Sequence, residues 1–145
     1  FMTEALALSP SDVVLEIGTG CGYQAAVLAE LAGEVYTIEL VPELAEQARH
    51  TLDALGYRNV HVSAGDGDRG WPEHAPFPKI IVTAAPEEVP QALVDQLAVG
   101  GTMVVPVGPR DGDQELRILK KTDRGVVTER SLPVRFVPMV KRPTT

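Results

Sequence analysis

Apolar residues along this chain of 145 residues fall into two alternating patterns. Short runs bounded by turn residues read as strands covered on both faces, and longer segments with apolar positions three and four apart read as amphipathic helices. Val13-Val14-Leu15-Glu16-Ile17 is the first run, and Ala25, Val27, Leu28 and Leu31 then keep helical register over 24–31 before Gly33. A second strand is expected over 35–40. Pro42 opens the next helix with Glu43 and Glu46 in its first turns, and Leu44, Ala48, Leu52 and Leu55 share a face before Gly56 stops it. Strands follow over 60–63 and 80–82, separated by a Gly- and Pro-rich loop over 65–77. A short helix over 90–97 is ended by Gly100-Gly101, which release a strand over 103–105. Beyond Pro109 the runs 115–120 and 126–130 alternate around Asp123-Arg124-Gly125, the pattern of an antiparallel hairpin. The order predicts an α/β fold, Rossmann-like, with a mainly parallel sheet and an antiparallel C-terminal edge. No repeat interrupts it, so residues 1–145 read as a single domain. Residues 2–8 read as the last turns of a helix, with Met2, Leu6 and Leu8 offering exposed apolar surface.

With 44% hydrophobic and 23% charged residues the chain belongs among folded globular proteins. Its longest uncharged stretch, 96–109, is broken by Gly100, Gly101 and Pro106 and is shorter than the roughly 20 apolar residues of a membrane helix, so no span is expected. The net charge of −7 argues against nucleic acid as a partner, because phosphate attraction dominates such binding. Charge is also uneven: twelve acids and three bases precede residue 75, and eight acids and ten bases follow it. The acidic half suits a small cationic ligand. The single cysteine, Cys21, excludes an internal disulfide, and His50, His61 and His74 have no zinc-ligand spacing, which points to a reducing, cytoplasmic setting without a metal. No secretory signal precedes the first strand, and nothing in the pattern specifies an oligomeric state.

Chemistry concentrates in Glu16-Ile17-Gly18-Thr19-Gly20-Cys21-Gly22-Tyr23, between a strand and a helix. Ligands of open α/β sheets bind at such carboxyl ends, where glycines let the backbone approach closely. Tyr23 stands where a dinucleotide fingerprint wants a small residue, and Glu16 would repel a pyrophosphate, so a nicotinamide cofactor is disfavoured and an ammonium or sulfonium ligand favoured. S-adenosylmethionine is such a cation. Alone, the turn serves equally well as a plain strand-helix connection. Glu39 shifts that balance: it ends the second strand 21 positions after Gly18, close to the roughly 20-residue offset at which an acid takes ribose hydroxyls. Asp66, in Gly65-Asp66-Gly67, is a third acid at a third strand end, able to accept from an adenine amino group. Alone it reads as a turn residue, but three acids at successive strand ends on one ledge make a nucleoside site the better explanation.

These segments, together with Gly70-Trp71-Pro72-Glu73-His74-Ala75-Pro76-Phe77, Ile81-Val82-Thr83-Ala84-Ala85-Pro86, Gly100-Gly101 and Pro106-Val107-Gly108, resemble the protein-L-isoaspartate O-methyltransferases over essentially the whole chain. The resemblance implies an S-adenosylmethionine-dependent methyltransferase fold and methyl esterification of the free carboxylate of isoaspartyl residues in damaged proteins and peptides. It also implies that Cys21, Glu39, Leu40, Asp66 and Gly67 contact the cofactor beside Glu16 and the turn Gly18, Thr19, Gly20 and Gly22, with Cys21 in place of the more usual serine. No catalytic residue is assigned: the family's serine lies in a segment ahead of the first strand, and Ser9 and Ser11, in Leu8-Ser9-Pro10-Ser11-Asp12, read as turn residues instead. A cofactor-binding fragment of weak or no activity is the alternative. Trp71 and Phe77 read as packing groups, Cys21 lacks a neighbouring base for a nucleophile's role, and Arg135, Lys141 and Arg142 read as a solvated basic tail.

Overall fold

In the computed structural model, which describes residues 1–109, 111–134, 137 and 139, the run Val13–Ile17 becomes β1, an inner strand flanked on both sides. Around it the chain runs α1 (Met2–Leu6), β1, α2 (Tyr23–Leu31), β2 (Glu34–Glu39), α3 (Pro42–Ala54), β3 (Val60–Ala64), two 3₁₀ turns (Gly67–Arg69 and Pro72–His74), β4 (Phe77–Val82), α4 (Gln91–Gln96), β5 (Leu97–Val107), β6 (Gln114–Thr122) and β7 (Gly125–Val134). One seven-stranded sheet has the order β3-β2-β1-β4-β5-β6-β7, parallel from β3 to β5 and antiparallel at β6 and β7. The expected α/β class and antiparallel edge are what the chain forms.

Period-two alternation divides the core. Val14, Val35, Ile81 and Val104 pack with Leu6 and Leu28 on one face, and Leu15, Ile17, Ile38, Ile80 and Met103 pack with Phe77 and Leu93 on the other. A strand buried on both faces needs no alternation of apolar with polar, which is why β1 and β4 read as nearly unbroken apolar runs.

Three expectations need correction. Gly100-Gly101 do not precede β5 but lie inside it, since the strand begins at Leu97 and the glycines absorb a register shift: Phe77 pairs with Leu97, whereas Lys79 already pairs with Thr102. β4 likewise starts at Phe77, before the predicted 80, with Pro78 tolerated at that irregularity. Leu6 is not exposed; α1 lays it against β4 and β5, fully buried, with Met2 and Leu8 half-buried around it. Arg135, Lys141 and Arg142 lie outside the described residues. No helix among those described is long and apolar enough to cross a membrane.

Candidate functional site

The strand order reverses at β1, which has β2 on one side and β4 on the other. Chain segments leaving β1 and β4 therefore diverge, and a crevice opens at the carboxyl ends of the strands. The glycine turn forms its floor. Gly18 and Thr19 both donate their N–H to the carbonyl of Ile38, at 2.8 and 3.2 Å, which ties the turn to β2. From the other side Thr83, just past β4, donates its N–H to the carbonyl of Ile17 at 3.1 Å, and its hydroxyl lies 2.9 and 3.1 Å from the carbonyls of Ile17 and Gly18. Gly18 adopts φ +101°, and a Cβ there would fall 2.4 Å from that hydroxyl. Gly20 is the opposite case: exposed, with φ +56° and nothing within 4 Å of where a Cβ would stand. Gly18 serves the turn, and Gly20 leaves room for a ligand.

Glu39 ends β2 and is only 9% exposed. Its Oε1 accepts from Gly20 N–H at 2.8 Å and its Oε2 from Val41 N–H at 3.1 Å. Two backbone donors aim the carboxylate at the crevice and leave each oxygen a second lone pair, the capacity a ribose diol requires. Asp66 follows β3 and immediately precedes the 3₁₀ turn Gly67–Arg69 as its N-cap residue, its side chain nearly buried and 3.9 Å from the Arg69 guanidinium, while Gly65 N–H donates to the carbonyl of Glu39 at 2.9 Å. Glu39 and Asp66 therefore stand at adjacent strand ends. Leu40 is half-buried beside Glu39, Cys21 is exposed at the tip of the turn, and Gly67 is buried. Ser9 and Ser11 occupy a turn: Ser9 N–H donates to Asp12 Oδ2 at 2.9 Å, and the two hydroxyls lie 3.1 Å apart.

Glu16 lies beneath the turn rather than at its surface and is fully buried. Its Oε1 accepts from the Thr37 hydroxyl at 2.6 Å, and the Thr19 hydroxyl stands 2.6 Å from that of Thr37, so the hydrogens run from Thr19 to Thr37 to Glu16. Oε2 has no partner. Burial pushes the carboxyl up to about 8, opposed by the Thr37 hydrogen bond and reinforced by the charge of Glu39. A neutral acid under the floor adds no negative charge to the crevice near neutral pH, and its orphaned oxygen is a polar atom waiting for a partner. The expectation that the charge of Glu16 repels a pyrophosphate and favours a cation is therefore corrected, since desolvation leaves that carboxyl buried and neutral; the openness at Gly20 and the spare lone pairs of Glu39 are what fit the hydroxyls of a nucleoside.

Thr37 and Thr83 escaped the sequence reading. Thr37 is a polar residue inside an apolar strand and so leaves a signal in the sequence, whereas Thr83, which enters the sequence analysis only within the segment Ile81-Val82-Thr83-Ala84-Ala85-Pro86, leaves none. Trp71 and Phe77 pack as expected: Phe77 is fully buried, and Trp71 meets Tyr36 edge-on at 5.2 Å. Among the described residues no group of His, Cys, Asp and Glu could hold a metal ion.

Comparison with known proteins adds an independent line. The family model described as protein-L-isoaspartate(D-aspartate) O-methyltransferase matches residues 1–144. The chain is 57% identical over 141 residues to a protein-L-isoaspartate O-methyltransferase of Gloeobacter violaceus, covering 97% of this chain and 69% of that protein. It is 64% identical over 146 residues to one from a Synechococcus strain, covering 97% of this chain and 60% of that protein. A solved protein-L-isoaspartate O-methyltransferase superimposes with a TM-score of 0.88 at 34% identity, over 94% of this chain and 44% of that one. The chain thus spans roughly two thirds of these curated relatives and less than half of the solved structure.

Proposed function

The chain belongs to the protein-L-isoaspartate(D-aspartate) O-methyltransferase family, and from that premise we propose that it binds S-adenosylmethionine along the Gly18–Glu39–Asp66 ledge and methylates the free carboxylate of isoaspartyl residues in damaged cytoplasmic proteins and peptides. Glu39 takes the ribose hydroxyls, Asp66 the adenine amino group, and the turn from Gly18 to Gly22, with Thr19, Cys21, Leu40 and Gly67 beside it, cradles the rest. The observation that carries the reading is the family match over residues 1–144, and the geometry says how these residues could serve.

The ledge residues Glu39 and Asp66 would hold the cofactor, which would supply an electrophilic methyl group on a sulfonium, with the neutral thioether as its leaving group. An acceptor carboxyl of pKa near 4 is already ionised at neutral pH, so no side chain has to remove a proton. What the protein contributes is orientation of donor and acceptor and exclusion of water. The end of β4 agrees with this. Thr83-Ala84-Ala85-Pro86 offers no carboxamide or acid to hold an amine, and the one polar side chain, Thr83, turns its hydroxyl back onto the Ile17 and Gly18 carbonyls. Because Glu16 is neutral near pH 7, it also spares the incoming carboxylate a further repulsion.

The test is transfer of a radiolabelled methyl group to an isoaspartyl peptide, run beside the same peptide with ordinary aspartate. Base-labile label on the isoaspartyl peptide alone is expected. Label on both peptides, or S-adenosylhomocysteine failing to bind in calorimetry, would remove the proposal.

A further inference from the structure

Gln96, the last residue of α4, is a polar side chain only 8% exposed, and both ends of its carboxamide serve one loop. Its Oε1 accepts from Trp71 N–H at 2.8 Å, and its Nε2 donates to the carbonyl of Arg69 at 2.9 Å. Between those partners lies Gly70, at φ +63° and ψ −148°, where a Cβ would come within 2.2 Å of that same Oε1. The side chain thus does for an irregular segment what a neighbouring strand does for a regular one, pairing a donor and an acceptor on either side of one residue.

From Gly70 back to the ledge the chain is a continuous hydrogen-bonded turn. Gly70 N–H donates to the carbonyl of Gly67 at 3.1 Å, and Arg69 N–H to that of Asp66 at 3.2 Å. Gly67 presses on Ile17, so closely that a Cβ would fall 2.1 Å from Ile17 Cγ2, and Ile17 is the residue before the glycine turn. Gln96 is itself anchored, since Lys121 of β6 donates through Nζ to the carbonyls of Val94 and Asp95 at 2.7 and 3.3 Å. A path of backbone and part-buried side-chain contacts therefore leads from β6 through α4 to Asp66.

Resting on the cofactor site proposed above, we propose that Gln96 is a positioning residue for that site: by clamping Arg69 and Trp71 it fixes where Asp66 and Gly67 stand relative to Glu39, and so sets affinity for the nucleoside without touching it. Removing the clamp leaves the glycine turn and Glu39 intact but lets the third arm of the ledge move, and displacements of about 1 Å are enough to lose most of an oriented hydrogen bond.

Two variants of the full chain test this. Gln96→Met keeps length and bulk but removes both hydrogen bonds. Gln96→Glu keeps an acceptor for Trp71 N–H but sets a carboxylate against the Arg69 carbonyl, and protonation returns the missing donor. Trp71 is the only tryptophan, so its fluorescence reports on this loop alone. Expected for Gln96→Met are about tenfold weaker binding of S-adenosylhomocysteine, easier quenching of Trp71 by iodide without ligand, and a melt that stays cooperative. For Gln96→Glu, affinity relative to the parent at the same pH should recover as pH is lowered, a response that lost packing would not give. Parent-like affinity in the Met variant, or a pH-independent ratio in the Glu variant, overturns the inference; should the Met variant not fold, the Glu variant decides alone. If the parent itself fails to bind S-adenosylhomocysteine, the cofactor reading falls and this inference with it, an outcome distinct from a parent that binds and variants that bind equally.

Discussion

At the scale of single residues, Glu39 on the ledge and Glu16 buried beneath it are two acids with opposite physics. Glu39 has both oxygens satisfied by backbone N–H groups, whereas Glu16 has one oxygen satisfied and one orphaned in the core. The proton on Glu16 consequently belongs to the folded state: burial raises its pKa from 4.5 to about 8, so between those values the native chain holds a proton that the unfolded chain has released. Stability is fully present below about pH 4.5, declines as pH rises toward 8, and is flat beyond, by roughly 1.4 kcal/mol for each unit of pKa difference. Glu16→Gln stays neutral and escapes that decline, so its melting temperature should gain on the parent at pH 8.5 and not at pH 5. An offset constant across that range in paired thermal melts would contradict the buried neutral acid. Glu39→Ala acts differently. Losing a charged hydrogen-bond acceptor should weaken S-adenosylhomocysteine binding by about 1.5–3 kcal/mol, and orphaning Gly20 and Val41 N–H should lower the melting temperature too. Unchanged affinity by calorimetry would take Glu39 out of the site.

At the scale of elements, β1, β2 and β4 converge on the glycine turn, and Thr83 is the tie between β4 and that turn. Thr83→Val keeps the shape and removes the hydroxyl, so about 0.5–1.5 kcal/mol of stability should go with the hydrogen bond, and cofactor affinity should fall with the looser turn. A variant that binds as tightly as the parent while melting lower would make Thr83 purely structural. This tie also marks where reading the sequence stopped. Strands such as β1 and β4 were legible because burial on both faces leaves an apolar run, and the placement of Glu39 and Asp66 because an acid directly after such a run marks its end; Glu16 was legible as an acid before the turn, but not its burial beneath it. What could not be read is which polar side chain meets which backbone group across a sequence separation of 66 or 27, as Thr83 does with Ile17 and Gln96 with Arg69. Such partners follow from tertiary packing and leave no periodicity. Gly100-Gly101 misled for a related reason. Glycines that end a helix and glycines that absorb a slip between β4 and β5 look alike in one dimension, and only the pairing of Phe77 with Leu97 separates them.

At the scale of the whole molecule, the ledge is assembled entirely from the part of the chain before residue 75, where twelve acids face three bases. That field favours a cationic cofactor but opposes an anionic acceptor, and an isoaspartyl peptide must bring at least one carboxylate into it. Peptide charge outside the reacting residue should therefore be felt at long range. An isoaspartyl peptide flanked by Lys or Arg should show a lower KM than the same peptide flanked by Glu, with similar kcat, because flanking charge alters encounter and binding rather than the oriented step. The difference should shrink as ionic strength rises from about 10 mM to about 150 mM, since the Debye length falls from roughly 30 Å to roughly 8 Å over that range and only charges near the crevice remain felt. Initial rates for the two peptides at both salt concentrations, with the aspartyl forms as blanks, make the comparison. A preference for the acidic peptide at low salt would mean that acceptor binding is governed by a basic surface beyond the acidic part, and a salt-independent ratio would mean that short-range contacts, not the field of the acidic segment, choose among substrates.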